Sequence, residues 1–409
     1  MKKIAFITPG WSPVPATKGG AVENLIEWLL DENEKMPFFE CTVFSIYEKE
    51  ASMLSNKYEY TKFVFVKYPK IVTLLDCLIY WIAKNILHKK NLISYRNIIL
   101  RLYVLFRFAN IIKPKDFNHI ILVTNSTLFL LLKWSHSLRK SASKVIYYLH
   151  NEVRSVFHCQ KEIESIAGVI SISEFVERSF INQFPFLKIK NNNILKNSID
   201  TDAFTNIDMG KVLYYKRKFN FADNDFIVVF TGRIVEEKGA LEVLQAIKKL
   251  YNIIPIKLLI VGGGFYSSNI IDPYMKKIHA EMAELQNSVV ITGYIDYADM
   301  PCVYKLGNVA VLPSIWEEPA GLTMVEAAVS GLPLITTNSG GIPEYIPQNC
   351  AIFVDRDENL VENLADKIKL LYFNPSMAKQ LSEQGVQLKE KYNLLNYFQS
   401  FVRIIESYT

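Results

Sequence analysis

The chain has 409 residues, half of them apolar and 21% charged, with 46 Lys and Arg against 41 Asp and Glu. That length exceeds one hydrophobic core and suits two; the apolar share excludes a disordered chain, and a net charge of +5 with Lys and Arg spread along the sequence gives no ground for a nucleic-acid partner. Cys41, Cys77, Cys159, Cys302 and Cys350 are widely spaced with no CxxC pair, which predicts buried free thiols in a reducing compartment rather than a disulfide or metal framework.

Met1-Lys2-Lys3 has the charge of a leader peptide, but the apolar run that follows stops at Pro9-Gly10 and reads as a first strand. Short β-branched and aromatic runs then recur at Ile4 to Thr8, Thr42 to Ser45, Phe63 to Val66, Ile120 to Thr124, Val145 to Leu149 and Val169 to Ile172, separated by helical patterns. That alternation predicts βαβ units and a mostly parallel sheet. Residues 71–114 depart from it, being rich in Leu, Ile, Tyr and Phe with Lys84, Lys89, Lys90, Arg96, Arg101 and Arg107 interleaved. Ordinary helices covering the first sheet are the simpler reading, and peripheral contact with the inner face of a membrane is the alternative. No uninterrupted apolar run of about eighteen residues exists, so no spanning helix is expected.

After a polar gap near residues 200–225 the rhythm restarts, with strands predicted at Phe226 to Phe230, Leu258 to Val261, Val289 to Thr292, Val309 to Leu312, Leu334 to Thr336 and Ile352 to Val354. The fold class is therefore α/β: two Rossmann-like domains, over 1–200 and 201–391, facing each other across a cleft at the carboxyl ends of their strands. A closing amphipathic helix, with Leu394, Phe398, Phe401 and Ile405 on one face, falls within 392–409.

Three stretches after predicted strands carry chemistry. In Pro313-Ser314-Ile315-Trp316-Glu317-Glu318-Pro319-Ala320-Gly321-Leu322-Thr323-Met324-Val325-Glu326, a turn opens a helix whose first amides, at Gly321, Leu322 and Thr323, have no partner within it. Such a terminus suits a phosphate, and Gly321 allows close approach. Glu318 and Glu326 flank it and would repel an anion unless each faces something else; sugar hydroxyls are the expected partners. In Thr231-Gly232-Arg233-Ile234-Val235-Glu236-Glu237-Lys238-Gly239, Arg233 and Lys238 could converge on one diphosphate. Lys18-Gly19-Gly20 precedes the helix from Ala21, where the glycine pair serves either a phosphate or the shape of the turn.

His150 closes the strand Val145 to Leu149 and is expected to point into the cleft, whereas His88, His119, His136, His158 and His279 read as structural or surface groups. The triplets Asp200/Asp202, Asp223/Asp225 and Asp355/Asp357 could suggest a divalent metal, but none sits in a ligand cluster, and turn or cap roles with no metal are expected. Val261-Gly262-Gly263-Gly264 is a weak match to a dinucleotide loop.

Together these residues resemble family 4 of the glycosyltransferases, retaining enzymes of the B-type glycosyltransferase fold. Glu318 through Glu326 is similar to that family's E-x7-E motif, Gly232-Arg233 with Lys238 to its diphosphate site, and Asn197-Ser198-Ile199-Asp200 to its interdomain segment. Gly19-Gly20, His150, Gly340-Gly341-Ile342-Pro343-Glu344 and Val354-Asp355 extend the likeness over nearly the whole chain. The resemblance implies that Glu318 binds the donor sugar and Glu326 the nucleotide ribose. It further implies that Arg233 and Lys238 bind the diphosphate, that His150 lies near the anomeric carbon, and that the last helix crosses back to the first domain.

It also implies a cytoplasmic, metal-independent hexosyltransferase with no cofactor. The donor would be a nucleoside-diphosphate sugar, a UDP-sugar, and the acceptor a glycan or lipid-linked hydroxyl in bacterial surface polysaccharide synthesis. Donor contacts from one domain and acceptor contacts from the other would imply closure on binding. A sugar-nucleotide epimerase or phosphorylase, a non-catalytic nucleotide-sugar-binding subunit and a nicotinamide dehydrogenase are the alternatives. Ala320 and Ser198 depart from the family pattern, and Ala320 changes the room beside the donor sugar.

Overall fold

The computed structural model describes residues 1–88, 95–189, 191–263, 273–285 and 288–408. Gly264, Lys89 and Lys90 lie outside these described residues. The chain divides into two compact units, Met1–Lys196 with Tyr397–Thr409, and Asn197–Asn396.

In the first unit the strands are β1 Lys2–Ile7, β2 Phe39–Ile46, β3 Thr61–Val66, β4 His119–Val123, β5 Val145–Leu149, β6 Gly168–Ser171 and β7 Asn192–Ile194. They form one sheet in the order β3-β2-β1-β4-β5-β6-β7, all pairs parallel. β4 and β5 are buried along their whole length, which is why they read as unbroken apolar runs rather than alternating ones. The sequence pattern misses β7: Asn192-Asn193-Ile194 has little strand propensity and is extended because it pairs with β6 at the sheet edge.

Helix α1 spans Ala21–Lys35, and the described residues of 71–114 include two helices, α2 Lys70–Asn85 and α3 Ile98–Ile111. Asp76 of α2 is buried and accepts from the Ile99 and Leu100 amides at 2.8 and 2.9 Å, so it caps α3 and ties the two helices together. Four cysteines are buried as expected; Cys77 is exposed, because its helix turns only a narrow face inward.

In the second unit β8 Phe226–Thr231, β9 Ile256–Val261, β10 Val289–Ile291, β11 Val309–Leu312, β12 Leu334–Thr337 and β13 Ala351–Val354 pair in parallel in the order β10-β9-β8-β11-β12-β13. Helix α4 Ala240–Leu250 follows β8 and helix α5 Leu322–Val329 follows β11. The sequence order reverses between β8 and β11, which makes the ends of these two strands a topological switch point, where open α/β sheets bind ligands.

The last helix, α6 Leu394–Ser407, belongs to both units by its position in the chain, since its residues from Tyr397 onward count with the first. Phe401 packs its ring on Phe6 and Phe39 at centroid distances of 5.8 and 5.9 Å, and the Tyr397 and Tyr148 hydroxyls meet at 2.8 Å. Each fully buried aromatic or aliphatic side chain of this kind contributes on the order of 1.5–3 kcal/mol, enough to hold a helix far in sequence onto the first sheet.

Candidate functional site

The β8 loop opens at Gly232, whose amide donates to the Val261 carbonyl at 3.0 Å, and closes at Gly239, which adopts φ 76°. A Cβ on Gly239 would run into the Pro313 carbonyl, so glycine lets this loop lie directly on the start of the β11 loop. A second tie runs from the Ile315 amide to the Glu237 carbonyl at 2.9 Å. The loop after β12 joins them: the Gly341 amide donates to the Glu318 carbonyl at 2.7 Å, and Gly340, at φ 52°, fits beneath the Glu318 backbone where a Cβ would not. Three loops distant in sequence are thus locked around Glu318.

Within that lock the Lys238 ammonium donates to both Glu318 carboxylate oxygens, at 2.8 and 2.6 Å. Glu318 Oε2 also accepts from Ser314 Oγ at 2.8 Å and Trp316 Nε1 at 3.0 Å, and Lys238 lies 5.9 Å from the Trp316 ring. The sequence reading places Lys238 on an anion and Glu318 on hydroxyls; in the structure the two neutralise each other, which removes the repulsion an isolated carboxylate would exert there. Arg233 stands exposed beside Gly232, and a Cβ at Gly232 itself would meet nothing within 4 Å, so the space there is open. Gly321 leads into α5, which has no side-chain cap, leaving its first amides at Leu322 and Thr323 available as donors.

Glu326, one turn further into α5, is buried. Tyr304 donates to its Oε2 at 3.0 Å, and Thr231 Oγ1 lies 2.8 Å from the Tyr304 hydroxyl, so the chain of donors runs Thr231 to Tyr304 to Glu326. Burial raises the Glu326 pKa to about 7, partly offset by the Tyr304 and Tyr297 hydroxyls. Near neutral pH this carboxyl is therefore poised between donor and acceptor. Tyr297 and Tyr304 carried no signal in the sequence, and Thr231, although it opens a quoted run, is not marked there as a neighbour of Tyr304 and Glu326. Ser314 and Trp316 sit in the quoted run, yet their bonds to Glu318 depend on the loop's shape.

In the first unit His150 follows β5 and is only 3% exposed. Its Nδ1 lies 3.2 Å from the Tyr148 carbonyl. A carbonyl only accepts, so Nδ1 carries the proton and Nε2 presents a lone pair. Burial lowers the His150 pKa to about 3, keeping the ring neutral, and Nε2 is buried with no partner among the described residues. Buried polar atoms rarely stay unpaired; this one is shaped to accept a hydrogen bond. Gly19 and Gly20 have φ 70° and 131° at the start of α1, but the buried Glu23 carboxylate folds against Gly20 and occupies the space a Cβ would take. Burial raises the Glu23 pKa, so that helix end packs a carboxyl group whose neutral form is favoured.

One aspartate of each Asp triplet serves the backbone, and Asp223 pairs with Lys216. Asp200 accepts from the Ala203 amide at 3.2 Å, Asp225 from Ala222 at 2.8 Å and Asp357 from Asn359 at 2.9 Å. Among the described residues no group of three His, Cys, Asp or Glu side chains could hold a metal ion. No helix among them is long and apolar enough to cross a membrane.

Residues 214–388 match the family described as "Glycosyl transferases group 1". Over 400 residues the chain is 23% identical to the putative glycosyltransferase YtcC of Bacillus subtilis, covering 94% of this chain and 86% of the relative. A glycosyltransferase from Rickettsia africae superposes with a TM-score of 0.73 at 18% identity over 100% of this chain and 98% of the other. Anabaena HepE, solved in complex with UDP and glucose, gives 0.72 at 15% identity over the whole of both chains. The likeness to solved structures shows two Rossmann-like sheets of the B-type glycosyltransferase fold, as the strand rhythm predicts, while the family match and the sequence relative support a glycosyltransferase.

Proposed function

We propose that the chain is a retaining glycosyltransferase that moves a hexose from a UDP-sugar onto a hydroxyl of a glycan or lipid-linked acceptor, in the synthesis of a bacterial surface polysaccharide. The observation that carries this reading is the Lys238–Glu318 pair, held by three loops beside an uncapped helix terminus at the switch point of the second sheet. A site with a cation, a carboxylate and free amides side by side suits a molecule that joins a diphosphate to a polyol. The HepE structure, which contains UDP and glucose, adds support for that class of donor.

In this reading a donor diphosphate draws Lys238 away from Glu318, which frees the carboxylate to accept two sugar hydroxyls. Arg233, Lys238 and the α5 amides then face the oxygen on which charge develops as the glycosidic C–O bond breaks and its electron pair stays with the phosphate. They carry the charge without a metal. The acceptor hydroxyl attacks the anomeric carbon from the same face, a new C–O bond forms, and its proton passes to the departing phosphate. Glu326, with its pKa near 7, accepts from a ribose hydroxyl when ionised, and His150 Nε2 accepts from a hydroxyl of the transferred sugar.

A panel of nucleotide sugars tests this. A UDP-hexose should raise the melting temperature and be hydrolysed slowly to UDP, and Lys238→Ala should cut turnover by about a hundredfold. Wild-type turnover in Lys238→Ala, or no nucleotide sugar that raises the melting temperature, would overturn the assignment. Anomeric proton couplings of the product check retention: an inverted linkage refutes it.

A further inference from the structure

The helix α2 carries apolar side chains outward as well as inward. Val72, Asp76 and Ala83 face inward, and Ile71, Leu74, Leu78 and Trp81 recur at three- to four-residue steps on the outside, 56%, 64%, 51% and 54% exposed. On the neighbouring α3, Leu102 and Phe106 are exposed one turn apart. A contiguous apolar stripe of this size on a folded chain marks a contact with something apolar.

The charges around it are of one sign. Between Glu59 and Asp116 the sequence holds eleven Lys and Arg and a single acid, Asp76, so the basic excess of the chain is gathered here rather than spread evenly as its overall composition suggests. Asp76 is buried and spent on the α3 amides, so it does not offset them at the surface. Lys70 and Lys84 stand at the two ends of the stripe, and Arg107 is exposed beside Phe106. Arg96 is held 5.1 Å from the Tyr80 ring at the edge of a cavity of about 480 Å³, walled by Tyr68, Tyr80, Trp81 and Lys84, with Asp76 also in its lining but bonded to the α3 amides.

We propose that this outer face of α2 and α3 docks on an anionic phospholipid bilayer. Ile71, Leu74, Leu78 and Trp81 enter the boundary between headgroups and acyl chains, and Lys70, Lys84 and Arg107 meet the phosphates at headgroup depth. The cavity beside Trp81 has the aromatic walls and paired cations to receive one headgroup. A second copy of the chain fits the stripe poorly, because two such faces would bring like charges together. The proposal does not rest on the nature of the donor.

Co-sedimentation of the full chain with vesicles tests it. Binding should be about thirtyfold tighter to vesicles of mixed phosphatidylglycerol and phosphatidylcholine than to phosphatidylcholine alone, and should weaken as salt is raised. Leu78→Glu with Trp81→Glu should abolish binding to both. Lys84→Glu with Arg107→Glu should reduce binding to the level of phosphatidylcholine, and both double variants should keep the wild-type circular dichroism spectrum and UDP release. Absence of binding to the mixed vesicles, or equal binding to both compositions, overturns the proposal. So does a wild-type dimer in sedimentation equilibrium that the Leu78→Glu/Trp81→Glu variant converts to monomer without any vesicle binding.

Discussion

The loops at the switch point of the second sheet and two features of the first unit, His150 and the outer face of α2, are finished in opposite ways. Around Glu318 the carboxylate is met by Lys238, Ser314 and Trp316, and Glu326 is met by Tyr304. In the first unit His150 Nε2 is buried with no partner among the described residues, and α2 leaves an apolar stripe bare. A site satisfied by internal bonds is held in shape before its ligand arrives and must exchange those bonds on binding; an unsatisfied one is completed only by what binds. The contrast separates preorganisation from an open demand, and each half can be perturbed alone.

Gly239→Ala should break the first half most severely. The added Cβ meets the Pro313 carbonyl at a backbone with φ 76°, so the β8 and β11 loops must part. A loss of about 3 kcal/mol in denaturant unfolding, with the donor-induced melting shift gone, is expected. A variant that unfolds at the wild-type midpoint would mean that the loops are not locked as described.

His150→Ala sharpens the second half. Removing the Nε2 acceptor should lower kcat/KM by about thirtyfold, the value of one hydrogen bond to a reacting sugar of about 2 kcal/mol. Since the ring's folded pKa of about 3 lies below its ordinary value, the unfolded chain takes up the proton first as pH falls. Wild-type stability should therefore decline as pH drops from about 6.5, and the decline should be shallower in the alanine variant, which keeps only the share of groups such as the buried His119. Matching pH–stability curves for the two proteins would show that the ring is charged when folded.

Glu326→Gln gives the smallest effect and tests the price of a satisfied carboxyl. The folded pKa of about 7 lies above the ordinary carboxylate value, so the unfolded chain ionises first, and the cost to the wild type grows as pH rises from about 4.5 to 7 and is constant above. Glutamine keeps a hydrogen-bonding group without the charge. Relative to wild type, the variant should gain roughly 1 kcal/mol or more between pH 5 and pH 8 in thermal unfolding; an unchanged difference would place the Glu326 pKa near its ordinary value.

Much of this was legible from residue type and order. Val145–Leu149 and Val309–Leu312 begin and end where the sequence pattern puts them, because buried parallel strands are unbroken apolar runs. Arg233, Lys238, Glu318 and Glu326 stood out because they follow strand ends beside glycines. β7 was not legible, since its extension comes from its neighbour.

What sequence determined by itself was therefore the two series of strands, their restart near residue 226 and the loops on which polar groups gather. Only the tertiary structure decided that Lys238 and Glu318, eighty residues apart, neutralise each other, that Tyr304 answers Glu326, and that the Tyr148 carbonyl selects the tautomer of His150. Strand propensity and periodicity act between residues a few positions apart, whereas these pairings follow from which loops the order of strands in a sheet brings together.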